Sequence, residues 1–295
     1  MAAGIRFGIC TDQNQPFGKL AQRWQLFEKL GFDSLWDCDH LADPGNPAGP
    51  YFEAWTTLAG LARFTSRVRL GVLVNCNTFR HPALVAKQAL TLDHVSNGRL
   101  DLGLGAGWYE EEHVMYGIEF PAVGDRVGRF EESVRLIDAA LRSEVVDFEG
   151  AHYRLRGATF RPGPVQRPRP PLVVGAKGPR MLGVAARHAD AWNTSGTLEE
   201  CRRRNQVLSE QCDRAGRDPG EVARSLYYWL PRMSPDPWQS VGAFEEVVGS
   251  YRDAGMDDFI FDQPRDEQLP VLERVASDLL PRLRAPDSLS SGPPR

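Results

Sequence analysis

The residues of this chain that could do chemistry fall in short polar or glycine-rich clusters, each placed directly after a run of branched apolar residues. Asp39-His40 is the sharpest pair. An imidazole titrates near neutrality and can act as general acid, general base or electrophilic donor. The alternative is a loop histidine satisfied by a backbone carbonyl. Val174-Gly175-Ala176-Lys177-Gly178-Pro179 ends an apolar run and opens an amphipathic stretch, with Pro179 where the first turn of a helix tolerates it. Small residues there let backbone N–H groups approach a phosphate; the helix dipole favours the negative charge, and Lys177 adds a positive one. Thr194-Ser195-Gly196 follows the next run with hydroxyls and a flexible backbone. The plain alternative for both is a βα turn that needs glycine for its geometry, but two such loops in succession favour phosphate binding. Gly103-Leu104-Gly105-Ala106-Gly107 is GxGxG, not GxGxxG, and lies far from the first strand. It speaks against an open-sheet dinucleotide domain and for close approach of a flat ring, with Trp108 next in line.

Other strand ends add to this set: Thr11–Asn14, Asp37 and Cys38, Asn75–Thr78, and Asn193. Glu110-Glu111-Glu112-His113 reads as a solvated helix start, where acids suit the dipole, and Arg80-His81-Pro82 as the entry to a helix. No metal is expected: there is no HExxH, no His pair at helical spacing and no CxxC. Cys10, Cys38 and Cys76 read as packing or polar lining.

The elements that must carry these clusters alternate almost from end to end. Strands are expected at 5–10, 33–37, 68–74, 100–104, 172–175, 191–194, 225–230 and 258–261. Helices are expected at 20–30, 55–64, 83–94, 130–141, 180–188, 199–215, 244–254 and 268–283. Only 145–171 breaks the rhythm. There 145–148 and 152–155 read as a small hairpin, followed by a Pro/Arg-rich connector over 161–171, an excursion between strands four and five. Eight βα units point to an α/β fold with a closed, parallel (β/α)8 TIM barrel, whose functional residues lie at the C-terminal ends of the strands. A single domain is expected over 1–285, with a Ser/Gly/Pro tail at 286–295 that has little to bury and is expected to be disordered.

Composition agrees with this. The 295 residues are 42% hydrophobic and 25% charged, an ordinary globular mix that excludes collagen-like and disulfide-scaffold classes. A net charge of −4 offers no footprint for nucleic acid or an anionic membrane. There is no apolar run of spanning length and no leader-like start. With five scattered cysteines, this suggests a reduced, cytoplasmic setting.

Three stretches make the sequence recognisable: LGFDSLWDCDHLADP (30–44), VRLGVLVNCNTFRHPALVAKQALTLDHVSNGRLDLGLGAGWYEEEH (68–113) and PLVVGAKGPRMLGVAARHADAWN (171–193). Over about residues 5–280 the chain resembles the bacterial luciferase-like superfamily of flavin- and deazaflavin-dependent oxidoreductases. NQPF (14–17) and EAWTTLAGLA (53–62) make it most similar to the F420-dependent branch. The resemblance implies a barrel mouth holding a tricyclic ring along Leu73, Val74, Asn75 and Cys76, with a cis non-proline peptide or bulge within Val72–Cys76. It implies that Gly175–Gly178, Ser195 and Gly196 hold the phosphate, and that Asp39 and His40 stand beside ring and substrate as the catalytic pair. It also implies hydride transfer between F420 and a small organic substrate, in a homodimer. An FMN-dependent monooxygenase that uses reduced flavin and oxygen is the alternative, because both cofactors suit the same loops. Two departures stand out: Lys177 replaces a small residue, and Trp108 occupies a position where some deazaflavin sugar dehydrogenases carry an acid.

Overall fold

The computed structural model describes residues 4–285; the expected tail at 286–295 lies outside them. The chain opens with β1 (Arg6–Cys10), α1 (Phe17–Lys29), β2 (Ser34–Asp37) and α2 (Ala54–Leu61). β3 (Arg69–Val72), β4 (Asn75–Cys76), α3 (Pro82–Val95) and β5 (Leu102–Gly105) follow. After α4 (Glu110–Tyr116) and α5 (Val123–Arg142) comes the hairpin of β6 (Val145–Glu149) and β7 (Arg154–Thr159). The second half runs β8 (Leu172–Gly175), α6 (Pro179–His188), β9 (Ala191–Thr194), α7 (Leu198–Arg214), β10 (Ala223–Tyr228), α8 (Val241–Asp253) and β11 (Asp258–Asp262). A last helical segment is split into α9 (Leu269–Arg274) and α10 (Leu280–Arg284) by a π turn over Val275–Leu279.

Neighbouring strands pair in the order β3-β2-β1-β11-β10-β9-β8-β5-β4. β3 falls inside the expected third strand, and β4 lies just past its expected end at 74. A parallel bridge from Leu70 to Leu100, just before β5, brings the two ends of the sheet together. The result is the expected (β/α)8 barrel. The expected strand over 68–74 breaks where the Leu73–Val74 peptide is cis, inside the segment singled out by resemblance. The second arm of the hairpin is Arg154–Thr159, not 152–155, because Glu132 on α5 takes the His152 and Tyr153 backbone N–H groups before the strand begins.

Two apolar layers follow from the period-two alternation of the strands. Outward residues such as Phe7, Leu35 and Phe259 pack under the helices with Leu20, Trp24 and Phe27 of α1, all buried. Inward residues form a smaller cluster of Cys10, Trp36, Cys38, Leu73, Val173 and Ile260 that plugs the barrel. Gly71 has to be glycine beside that plug, since a Cβ there would lie 2.5 Å from the Trp36 ring. Helix ends match the sequence signals. α1 closes with Gly31 at φ 85° and a Phe32 N–H to Phe27 carbonyl bond, and α3 closes through Asn97 at φ 56°. At the floor of the barrel Arg69 grips Asp101 at 2.6 Å, a structural contact at the end of the barrel where stability resides.

Candidate active site

The loops beyond β2, β5 and β10 meet over the open end of the barrel. These strands are not neighbours in the sheet, so contacts among the residues just past them span the mouth. The His40 ring lies edge-on to Trp108 at 5.6 Å and to Tyr109 at 6.0 Å. Trp108 in turn meets Trp229, just past β10, at 6.1 Å. Trp108 remains 54% exposed, an apolar face offered to whatever enters.

His40 is held from behind. Its Nδ1 lies 2.8 Å from Glu112 Oε1, while Oε2 of the same carboxylate accepts the Leu41 backbone N–H at 2.8 Å. Glu112 is 1% exposed, and both oxygens are satisfied by these donors, which is what allows a carboxylate to be buried. A carboxylate only accepts, so the proton sits on Nδ1 and the lone pair on Nε2. No described residue hydrogen-bonds to Nε2. The arrangement overturns the reading of 110–113 as a solvated start. α4 turns Glu112 and His113 inward, and His113 is fully buried, bonding Thr78 Oγ1 through Nε2 at 2.6 Å and the Tyr109 carbonyl through Nδ1 at 2.7 Å. Glu110 and Glu111 stay exposed, as expected.

Asp39 has no hydrogen bond to His40. Its carboxylate takes Arg80 in a fork, at 2.6 and 3.0 Å, and accepts the Cys76 backbone N–H at 2.7 Å. Arg80 also reaches Glu53 at 2.6 Å, and Glu53 caps α2 through the Thr56 N–H. Burial pushes the Asp39 carboxyl above its ordinary range, against the pull of Arg80. The expected helix entry at 80–82 therefore divides. His81 caps α3 and Pro82 begins it, whereas Arg80 ties its own loop to both ends of the loop between β2 and α2. Asn75 accepts the Trp55 indole N–H at 3.0 Å, and Cys76 lies 3.0 Å from Thr78 Oγ1, its thiol pushed up to about 12 by burial. Gly107, at φ 87°, backs onto both: an added Cβ would lie 2.9 Å from Thr78 Oγ1 and 3.0 Å from Cys76 Sγ.

Charge is sorted around the rim. Past β1 and β2 stand Asp12 and Asp43, and Asp262 ends β11. Asp12, exposed at the rim, is pushed up by partial loss of its hydration there and by Asp43. Burial raises Asp262 to about 7, even with the Tyr227 hydroxyl at 2.5 Å and the Leu230 N–H at 2.7 Å holding its carboxyl. Past β8, β9 and β10 stand Lys177, Arg204 and Arg232. Lys177 is pushed down, first by its surroundings and then by Arg204, with Arg232 adding to the effect. Arg204 is buried; it donates to Thr194 Oγ1 at 3.3 Å and the Ser195 carbonyl at 2.8 Å and pairs with Glu200, but its Nε has no partner.

A cofactor with a flat ring and an anionic tail suits these residues. The buried, unpartnered Nε of Arg204, two further cations and the open space at Gly178, where an added Cβ would meet nothing within 4 Å, make a corner fit for a phosphate. Gly175 and Ala176 are fixed at its edge, Gly175 by pairing with Asn193 and Ala176 by its N–H to the Asn193 carbonyl. Ser195 and Gly196 lie on the other side, with the Gly196 carbonyl held by the Tyr251 hydroxyl at 2.9 Å. Leu73, Val74, Asn75 and Cys76 stand on the far side of β5 from β8, and Val74 packs on Gly105 and Gly175. Glu112, Arg80, His113, Tyr227 and Asp262 were not among the sequence candidates for the site. Only the acid run at 110–112 carried a usable signal, since Glu112, three residues on from Tyr109, lies on the same side of the helix.

A parallel barrel whose mouth joins a locked imidazole, an aromatic wall and a cationic corner defines a cofactor-binding (β/α)8 enzyme type. Residues 2–230 match the model of the luciferase-like monooxygenase family, and the chain belongs to that family. A relative from Amycolatopsis mediterranei (strain U-32), named F420-dependent glucose-6-phosphate dehydrogenase, is 28% identical over 310 residues, 88% of this chain and 92% of the relative. Among solved structures, an F420-dependent secondary alcohol dehydrogenase in complex with an F420-acetone adduct superposes with a TM-score of 0.82 at 19% identity, covering 96% of this chain and all of its own. The coenzyme F420-dependent tetrahydromethanopterin reductase from Methanopyrus kandleri gives 0.82 at 19% identity, covering 95% of this chain and 100% of the reductase. At that identity the two structures speak for the fold. Among the described residues no group of ligating side chains is arranged to hold a metal ion, and no helix is long and apolar enough to cross a membrane.

Proposed function

We propose that this protein is an oxidoreductase that moves a hydride between F420 and a small organic substrate. The observation that carries the reading is a single imidazole, locked through Nδ1 by a buried carboxylate and open at Nε2, inside an aromatic mouth that adjoins a cationic corner. The choice of F420 is supported by relatives of nearly full length that carry it in their names.

When bound, the deazaflavin supplies the centre that accepts or donates the hydride. The protein does the rest. Lys177, Arg204 and Arg232, with the backbone at Gly175, Ala176, Gly178, Ser195 and Gly196, hold the anionic tail. Leu73, Val74, Asn75, Cys76 and Gly107 bear on the ring. For an alcohol substrate, the hydride leaves carbon with both electrons while the hydroxyl proton passes to His40 Nε2, and reduction of a carbonyl returns both. Glu112 holds the Nδ1 proton and so fixes the ring with Nε2 aimed into the mouth. We assign Asp39 a positioning role, since its carboxylate is spent on Arg80 and the Cys76 N–H. The scattered cysteines suggest a cytoplasmic setting, and the resemblance suggests a homodimer.

Fluorescence titration with F420 and with FMN tests the cofactor. F420 is expected to bind at micromolar concentration or tighter; tight FMN binding without F420 binding, with oxygen uptake on reduction, would instead make it a flavin monooxygenase. His40→Asn is expected to keep cofactor affinity and to slow single-turnover hydride transfer by about 10²–10⁴-fold. Wild-type transfer in that variant removes His40 from the mechanism.

A further inference from the structure

The mouth separates its charges into two arcs, and the separation bears on what the substrate is. β2, β1 and β11 are consecutive in the sheet, and the acids at their rim ends are Asp12, Asp43 and Asp262. Asn14, past β1, donates to Asp43 at 3.0 Å and so joins the two acid-bearing loops, and Asp12 beside it interacts with both Asp43 and His40. Tyr109 extends this field, lying near Glu111 and Asp43. β8, β9 and β10 are the next consecutive strands, and their arc carries Lys177, Arg204 and Arg232. Arg232 lies 5.1 Å over the Trp229 ring and acts on Lys177, which places it with the cations. Arg80, the cation nearest the acid arc, is consumed by Asp39 and Glu53.

Between the arcs stand Trp108, Tyr109 and Trp229, with Trp108 more than half exposed although three other rings meet it. A large ring left half bare at a site's centre is an unfilled stacking surface. If the cofactor's tail takes the cationic arc, as proposed above, a second anion would have to sit toward the acid arc, where Asp12 and Asp43 repel it.

We infer that the substrate is an uncharged organic molecule bearing a flat ring that stacks on Trp108, and that sugar phosphates are excluded. The inference rests on the proposed cofactor placement, and it parts from the substrate in the name of the Amycolatopsis relative.

The test begins with the F420 titration, which by itself decides the cofactor reading. Acetophenone and glucose 6-phosphate are then offered to the loaded enzyme, with tryptophan fluorescence reporting binding and the cofactor's absorbance reporting turnover. Acetophenone is expected to bind, and Trp108→Ala to weaken it by about 3- to 10-fold, the range of one aromatic pair. Glucose 6-phosphate is expected to be neither bound at millimolar concentration nor turned over. Replacing both Asp12→Asn and Asp43→Asn is expected to admit it measurably. Turnover of glucose 6-phosphate by the wild type overturns the inference, as does acetophenone binding that is absent or indifferent to Trp108→Ala. The same acetophenone titration of cofactor-free protein reads the stacking surface separately, so a failure to bind F420 is not confused with a failure of the ring site.

Discussion

Replacing Glu112 with glutamine probes the link between the fold and the proposed proton transfer. The carboxylate accepts two N–H groups at 2.8 Å each, from His40 and from Leu41. An amide of the same shape has one oxygen and one NH2, so it can satisfy one donor and must turn its own N–H toward the other. A charge-assisted bond contributes about 1.5–3 kcal/mol. If the loss falls on His40, its Nδ1–H is no longer held, and the other tautomer or a turned ring competes with the productive one. At 1.4 kcal/mol per decade the expected slowing is about 10- to 150-fold. Cofactor affinity is expected to stay within about twofold, because Glu112 touches none of the tail-binding residues. Stopped-flow single turnover, followed by cofactor absorbance, measures the step; fluorescence titration measures affinity; a thermal melt reports any general loss of structure. Wild-type single-turnover rate in a folded Glu112→Gln protein would refute the argument, as would a fall in affinity that matches the fall in rate.

Arg80→Ala leaves Asp39 buried without its counter-ion and is expected to cost about 3–5 kcal/mol of stability by denaturant unfolding; a loss below 1 kcal/mol would show that the tie is dispensable. Lys177→Ala is expected to weaken F420 binding by about ten- to a hundredfold, the range of a charge-assisted phosphate contact, and unchanged affinity would place the tail elsewhere. Asp262, raised from 3.8 to about 7, binds its proton more tightly folded than unfolded. Its contribution is therefore full at acid pH and is lost as pH rises from about 4 toward about 7. Asp262→Asn is expected to flatten that part of the profile of Tm against pH, and an unaltered slope counts against the assignment.

The barrel was legible because its units are local. An apolar run of four to six residues, a polar end and an amphipathic stretch recur eight times, and each can be read without knowing its neighbours. The polar strand ends were legible for the same reason, so His40, Trp108 and the loops around Lys177 and Ser195 were found. What escaped was set by partners far along the chain. Glu112 is 72 residues from His40, and the first-turn pattern it shares with Glu110 and Glu111 is the same whether an acid meets water or an imidazole. Arg80 beside a helix-entering His-Pro looked like part of the entry, and only folding brings Asp39 and Glu53 to it. The break in the third strand is silent in composition, since Val-Arg-Leu-Gly-Val-Leu-Val reads as one continuous run; resemblance, not periodicity, pointed there.

The tie of Arg80 to Asp39 and Glu53 also divides the rim into a frame and an insert. On the frame side the loops after β2 and β4 and the start of α2 are joined by buried charge and by backbone donors, so a change in any one disturbs the others. On the far side Trp108 and the segment after Trp229 meet the mouth by ring contacts, and residues such as Arg232 are exposed. Such a partition lets the reaction chemistry be inherited while the ligand is renegotiated. For protein engineering, Trp108, Tyr109 and Trp229 are the grafting positions at which new substrates can be sought, with the imidazole and its carboxylate carried along unaltered.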